Sequence, residues 1–126
     1  MANKNYNFER LTKQMFKDIS DILLSVNKEH FQGKMISVSE VRLSADKSIL
    51  KVYVSIFPSQ EAQGVIDELI TLKSQIRFHL GNKIRHQVRI VPELQFYLDK
   101  TFDEIEKIDK LLSKNNHQNK TDESQQ

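Results

Sequence analysis

The residues of this sequence with the clearest chemical potential are basic side chains gathered in one segment. Between Lys73 and Pro92 the chain carries five Lys or Arg side chains, two histidines and no acid. The five cations are Lys73, Arg77, Lys83, Arg85 and Arg89. The whole chain has a net charge of only +2, so the remainder of the chain is net acidic. Concentrated positive charge is the pattern expected of a surface that binds a polyanion such as nucleic acid.

Two other interpretations of the basic segment stay open. Charge runs usually form solvated helical faces, but such faces normally mix positive and negative side chains. A basic face can also bind an acidic protein partner. Three more cations, Arg42, Lys47 and Lys51, lie on a predicted hairpin and could widen a nucleic-acid footprint. Tyr53 and Phe57 share the polar face of one strand, where they could stack on bases or be covered by a helix.

The other residue types give no sign of an enzyme, a metal site or a cofactor site. The chain has no cysteine, no Gly-x-Ser-x-Gly motif, and three glycines too scattered for a phosphate-binding loop. His79 and His86 would lie roughly 10 Å apart along a helix, too far apart for one metal ion. We therefore expect no catalysis, no metal, no cofactor and no small-molecule substrate. No apolar run is long enough for a membrane span and no signal peptide opens the chain, so we expect an intracellular, soluble protein.

The elements that would position the basic segment follow from hydrophobic periodicity. Apolar residues recur at intervals of three and four from Phe8 to Lys28, which predicts an amphipathic helix. Two β-rich runs, 35–44 and 49–57, flank turn residues and predict an antiparallel hairpin. The apolar phase of the first run shifts between Val38 and Val41, which predicts a bulge.

A second helical pattern carries the basic segment itself. Its apolar stripe is Val65, Leu69, Leu72, Ile76, Leu80, Ile84 and Val88. Ser59 is the predicted helix cap, and Gly81 is the predicted site of a break, since glycine in a helix interior costs about 1 kcal/mol relative to alanine. After Pro92, a third strand is predicted at 93–98, with Leu94, Phe96 and Leu98 facing inward. Residues 101–112 predict an amphipathic helix, and 113–126 a disordered polar tail without apolar residues.

This element order indicates an α+β domain spanning residues 1–112, with the order α-β-β-α-α-β and a C-terminal helix. Two layers bury all the apolar faces most simply, so the helices are predicted to pack on one face of a three-stranded sheet.

Four stretches of the chain resemble one known family. They are Lys51-Val52-Tyr53-Val54-Ser55, Leu80-Gly81-Asn82-Lys83-Ile84-Arg85, Arg89-Ile90-Val91-Pro92-Glu93-Leu94-Gln95-Phe96, and Ile105-Glu106-Lys107-Ile108-Asp109 with Leu111-Leu112. Together they resemble bacterial ribosome-binding factor A, over roughly residues 6–112. The resemblance implies a type II KH-like domain that acts as a cytoplasmic, non-enzymatic assembly factor. We also expect the free protein to be a monomer. Its implied partners are the small (30S) ribosomal subunit and 16S rRNA, with a role in late maturation and rRNA processing that matters most in the cold.

The sequence departs from the pattern of related RNA-binding domains at one place. It has no Gly-x-x-Gly loop of the kind that clamps RNA in KH domains. The family's Ala-x-Gly kink between the two central helices would fall at Lys73-Ser74-Gln75, which has neither residue. The bend is therefore expected at Ser74 or at Gly81. We expect docking on folded ribosomal RNA by charge and shape, with Arg77, Lys83, Arg85 and Arg89 contacting phosphates.

Overall fold

The computed structural model describes residues 2–99, with side chains from residue 7 onward. Its helices are α1 (Ala2–His30), α2 (Ala62–Thr71) and α3 (Lys73–Ile84), and its strands are β1 (Met35–Leu43), β2 (Ile49–Phe57) and β3 (Glu93–Leu98). A 3-10 turn, Ser59–Glu61, precedes α2. The predicted helix 101–112 and the predicted tail 113–126 lie outside the described residues. Among residues 2–99 the order α-β-β-α-α-β is confirmed.

Helix α1 forms because its apolar residues recur on one side of the helix. Its buried apolar side chains are Leu11, Met15, Ile19, Ile22 and Leu23. After the helix ends, the chain reverses at Gly33, whose φ of +81° favours glycine. The N–H of Lys34 donates to the carbonyl of Phe31 (3.1 Å) across this reversal and leads directly into β1.

The predicted hairpin is confirmed, including its bulge. β1 and β2 pair antiparallel from Met35↔Phe57 to Leu43↔Leu50, and the register shifts between Val38 and Glu40. The shift keeps Val38 and Val41 on the same face despite their odd spacing. Because of the bulge, the apolar side chains of β1 on both sides of the shift face the same core.

Asp46 organises the hairpin turn. Its Oδ1 accepts hydrogen bonds from the Ser44 hydroxyl (2.8 Å), the Ser48 hydroxyl (2.7 Å) and the Ser48 backbone N–H (3.1 Å). The bonds from Ser48 and Ser44 lower the pKa of Asp46, because they stabilise the charged carboxylate. Lys47 takes the left-handed conformation (φ 63°) that closes the turn.

β3 completes the sheet beside β2. The strand order is β1-β2-β3, and β2 and β3 run parallel, so the two helices between them serve as the crossover. The core face of the sheet carries Leu50, Val52, Val54 and Leu94, all fully buried under the helices. The predicted packing of helices on one face is confirmed, and the other face of the sheet carries no described helix.

The helical pattern after Pro58 differs from the sequence prediction in two ways. Ser59 is not a helix cap: it is the first residue of the 3-10 turn, and α2 is preceded by Glu61, whose side chain makes no capping hydrogen bond. The break between α2 and α3 lies at Leu72 (φ −90°, ψ 3°), rather than at Ser74 or Gly81.

Gly81 lies inside α3, where it permits close packing instead of a bend. A Cβ atom added there would come within 3.0 Å of the Val91 Cγ2 atom. The glycine therefore lets the chain before β3 lie directly against α3.

Two findings bear on the excluded classes of function. Across residues 2–99, no helix is long and apolar enough to cross a membrane. The same residues contain no group of three His, Asp or Glu side chains that could hold a metal ion.

Candidate nucleic-acid interface

A groove runs between α3 and the chain that leads into β3. Its volume is about 740 Å³, and we call it the α3 groove. It is lined by Lys73, Ser74, Arg77, Phe78, Gly81, Asn82, Arg85, Val91, Glu93 and Leu94. Lys73, Arg77 and Arg85 follow each other at multiples of four residues, so they share one side of the helix. The groove therefore presents a row of three cations.

The buried side of α3 fixes where this row points. Ile76, Leu80 and Ile84 have no solvent exposure, because they pack into the core between α1 and the sheet. Because these buried residues recur every four positions on one side of α3, Lys73, Arg77 and Arg85 lie on a different side, outside the core. The apolar stripe that the sequence predicted therefore aims the cations at the groove.

Arg77 has a second role that the sequence did not reveal. Its Nε donates to the carbonyl of Pro92 (3.0 Å), and a terminal nitrogen donates to the carbonyl of Val91 (2.7 Å). These bonds tie α3 to the chain before β3, so Arg77 braces the groove as well as adding charge to it. The contact joins residues about fifteen positions apart, and helical periodicity carries no signal of it.

The cations of the basic segment have no carboxylate partners in the part of the chain that the structure describes. Among residues 2–99, ion pairs such as Lys34–Glu61 (3.2 Å) and Arg42–Glu40 (2.7 Å) lie elsewhere. Glu93 is the only carboxylate among the described residues that line the α3 groove. The positive charge of the groove is thus largely uncompensated and available to phosphate groups.

Two predicted contacts lie outside the α3 groove. Lys83 is on another side of α3, where it lines a second groove with Asp21 and Glu29 of α1. Arg89 lies in the exposed chain after α3, next to Ile90, which is 73% exposed. Arg89 can extend a footprint at the end of α3, whereas Lys83 lines a groove with charges of both signs, Asp21, Glu29 and Lys28.

The three hairpin cations occupy other surfaces. Arg42 and Lys51 are cross-strand partners on the sheet face opposite the helices, and Lys47 lies at the turn. Arg42 bonds to Glu40, which raises the pKa of Arg42, and its guanidinium lies 5.6 Å from the centre of the Tyr53 ring. Tyr53 in turn stacks on Tyr97 at 5.4 Å. The eight predicted site residues therefore do not form one continuous patch.

Phe78 is a candidate contact that sequence reasoning missed. It lies on the wall of the α3 groove and is 66% exposed, beside Lys73 and Arg77. Its sequence signal is its position: it lies between Ile76 and Leu80 but off the buried stripe. An exposed aromatic ring next to cations suits contact with an unpaired base.

Comparison with known proteins identifies the family. The model of the family described as ribosome-binding factor A matches residues 7–112. A ribosome-binding factor A from Christiangramia forsetii is 45% identical over 97 residues, covering 76% of this chain and 74% of the relative. One from Cytophaga hutchinsonii is 34% identical over 116 residues, covering 92% of this chain and 87% of the relative.

Solved structures agree with this fold. The crystal structure of ribosome-binding factor A from Thermus thermophilus matches with a TM-score of 0.61 at 23% identity, covering 71% of this chain and 93% of that chain. At this level of identity, the similarity is evidence for the fold only. Thermus thermophilus ribosome-binding factor A coordinates fitted into a cryo-EM map of a 30S complex have a TM-score of 0.59 at 26% identity, covering 71% of this chain and 92% of that chain. With its KH-like α+β fold and a family match over residues 7–112, the chain belongs to the ribosome-binding factor A family.

Proposed function

We propose that this protein binds the small (30S) ribosomal subunit by laying the α3 groove along the phosphate backbone of 16S rRNA. The observation that carries the proposal is the row formed by Lys73, Arg77 and Arg85, which has no carboxylate partner among residues 2–99. Family membership supports the choice of partner, and a related protein has been fitted into a 30S complex.

The row has the dimensions of a backbone contact. From Lys73 to Arg85, the residue that follows α3, the chain rises by about 18 Å at 1.5 Å per residue, which is long enough to follow several successive phosphates. Arg89 extends the row beyond the end of α3. Contacts of this kind fix position and orientation but do not read sequence.

The shape of the groove favours recognition of folded RNA. The chain has no Gly-x-x-Gly loop, and the turn between α2 and α3 is the single residue Leu72. Binding therefore depends on charge and on the fit of the groove to an RNA surface. Phe78 adds a ring on which one unpaired base can stack.

The proposed role is that of a non-enzymatic assembly factor that acts in the cytoplasm as a monomer. Resemblance to the family supports a late step of subunit maturation, a contribution to 16S rRNA processing and greatest importance in the cold. In a strain that lacks the protein, precursor 16S rRNA should accumulate more at low temperature than at the ordinary growth temperature. Expression of the wild-type chain should reverse the accumulation, and a Lys73→Gln/Arg85→Gln chain should not.

Sedimentation with purified ribosomal particles tests the partner. The protein should travel with free 30S subunits and should remain unbound in mixtures with 50S subunits or full ribosomes. Lys73→Gln/Arg85→Gln should release it from 30S subunits, whereas Lys83→Gln, a neutralised cation on another side of the same helix, should not. Undiminished binding of the double variant would instead support an acidic protein partner.

A further inference from the structure

One end of the sheet carries exposed apolar side chains on the face opposite the helices. The register places Met35, Phe57 and Tyr97 on this open sheet face. Met35 and Phe57 are cross-strand partners, and each is 69% exposed. Exposed apolar residues are ordinary when scattered, but an exposed cross-strand pair at one end of a sheet is a candidate contact surface.

The same end of the sheet contains a notch, because β2 outlasts β3. The last pair between these strands is Val54↔Leu98, and the N–H of Asp99 donates to the carbonyl of Val54 (2.7 Å). The final three residues of β2, Ser55 to Phe57, have no partner from β3. The resulting notch has a volume of about 490 Å³, and its lining joins Met35 and Phe57 to Leu98 and Asp99 and to residues 58–60 and 62 before and at the start of α2.

The described chain ends on the wall of this notch. Asp99 is both a lining residue and the last residue described, so the chain that follows starts at the notch itself. Phe102 is three residues further on, and an extended chain spans at most about 11 Å over that distance. Phe57 lies roughly 10 Å along β2 from the level of Leu98. A chain of this length is therefore long enough for Phe102 to reach the notch.

The sequence after Asp99 contains an apolar stripe that needs a partner. Phe102, Ile105, Ile108 and Leu112 recur at intervals of three and four, as on one side of a helix. An isolated helix of twelve residues is only marginally stable in water, so such a segment depends on packing its apolar side. The family match also ends at residue 112, where the apolar residues of the chain end.

We propose that residues 101–112 form a helix that docks in the notch at this end of the sheet and covers Met35 and Phe57. The occupant is the chain's own segment because its tether is so short. A helix of twelve residues is about 18 Å long, enough to cross the end of a three-stranded sheet. Docking there leaves the α3 groove open, since the groove is lined by Glu93 and Leu94 at the start of β3, whereas the notch is lined by Leu98 and Asp99 at its end.

Paramagnetic NMR tests the placement directly. The chain has no cysteine, so Lys107→Cys provides a unique site for a spin label on the polar side of the predicted helix. The label should broaden the amide signals of Met35, Phe57 and Tyr97. The signals of Phe16 and Leu24, exposed apolar residues on α1, should keep most of their intensity.

A mixed sample separates the possible occupants. Isotope-labelled wild-type chain combined with unlabelled, spin-labelled chain should show no broadening at the notch. Broadening in the mixed sample would mean that a second copy supplies the helix and would overturn the proposal. Absence of broadening at the notch in the singly labelled chain would overturn it as well, and would leave the notch for another partner.

A double-mutant cycle gives an independent readout in the full chain. If Phe57 and Ile108 are in contact, Ile108→Ser should raise the unfolding equilibrium constant of the wild-type chain more than that of a Phe57→Ser chain. The two fold-changes should differ by a factor of about two or more. The matched control is Ile90→Ser, because Ile90 is 73% exposed and does not line the notch. Its effect should be additive with that of Ile108→Ser. Additive effects for Phe57 and Ile108 would contradict the docking.

Discussion

Ile76→Asp tests whether the buried stripe of α3 aims the cations into the groove. Ile76 has no solvent exposure, and truncating a buried isoleucine costs about 2–5 kcal/mol. An unpaired carboxylate in the same place costs several kcal/mol more, and a domain of this size has only about 5–15 kcal/mol of stability in total. The variant should therefore be largely unfolded at 25 °C. Circular dichroism should show the loss of helical signal.

Two further variants make this test quantitative. Ile76→Ala should remain folded, with its melting temperature lowered by roughly 10 °C or more. Gln75→Asp places the same charge one residue earlier, on an exposed position, and should change the unfolding free energy by no more than about 0.5 kcal/mol. A folded Ile76→Asp variant that melts like Gln75→Asp would show that Ile76 is on the surface. The row of Lys73, Arg77 and Arg85 would then have been assigned to the wrong side of the helix.

Three other outcomes are expected. Arg77→Gln should lower the unfolding free energy by about 1–3 kcal/mol in urea titrations, because two hydrogen bonds to backbone carbonyls are lost, whereas Arg85→Gln should leave it nearly unchanged. The pKa of the Asp46 carboxyl should lie below that of an ordinary aspartate in an NMR titration. Its contribution to stability is present above the unfolded pKa of about 4 and is lost as pH falls through the lower folded pKa. Asp46→Asn should therefore weaken the dependence of unfolding on acid pH. Removing residues 113–126, which contain no apolar side chain, should shift the melting temperature by only a few degrees.

The strands were predictable because their local signals agree with their tertiary environment. Leu50, Val52, Val54 and Ile56 alternate along β2, and the strand begins and ends where the alternation does. The bulge in β1 was predictable for the same reason, since Val38 and Val41 could face one core only if a residue was inserted.

The break between α2 and α3 was not predictable from residue type. Gly81 looked like the weak point of the helical pattern, but its missing side chain serves the approach of Val91, a residue ten positions away. The break lies at Leu72 although leucine favours helices. A change of direction there allows the buried sides of both α2 and α3 to pack on the sheet. Helix propensity is too weak to decide between positions when packing of this kind competes with it.

The candidate site was predictable in charge but not in arrangement. Composition located the basic segment, and helical spacing aligned Lys73, Arg77 and Arg85. It could not show that Lys83 lines a separate groove with Asp21 and Glu29 of α1, since that depends on how the two helices pack. The brace from Arg77 to Val91 and Pro92 likewise depends on the path of the chain after α3.

The salt dependence of binding to purified 30S subunits tests the central claim most directly. If Lys73, Arg77, Arg85 and Arg89 each neutralise one phosphate, log affinity should fall with log salt at a slope of about −3, so that raising salt from about 50 to about 200 mM weakens binding roughly fifty- to 150-fold. Lys73→Gln/Arg85→Gln should flatten the slope by about 1.5, while Lys83→Gln should leave it unchanged. A wild-type slope near zero, or a double variant with the wild-type slope, would contradict phosphate docking through the α3 groove.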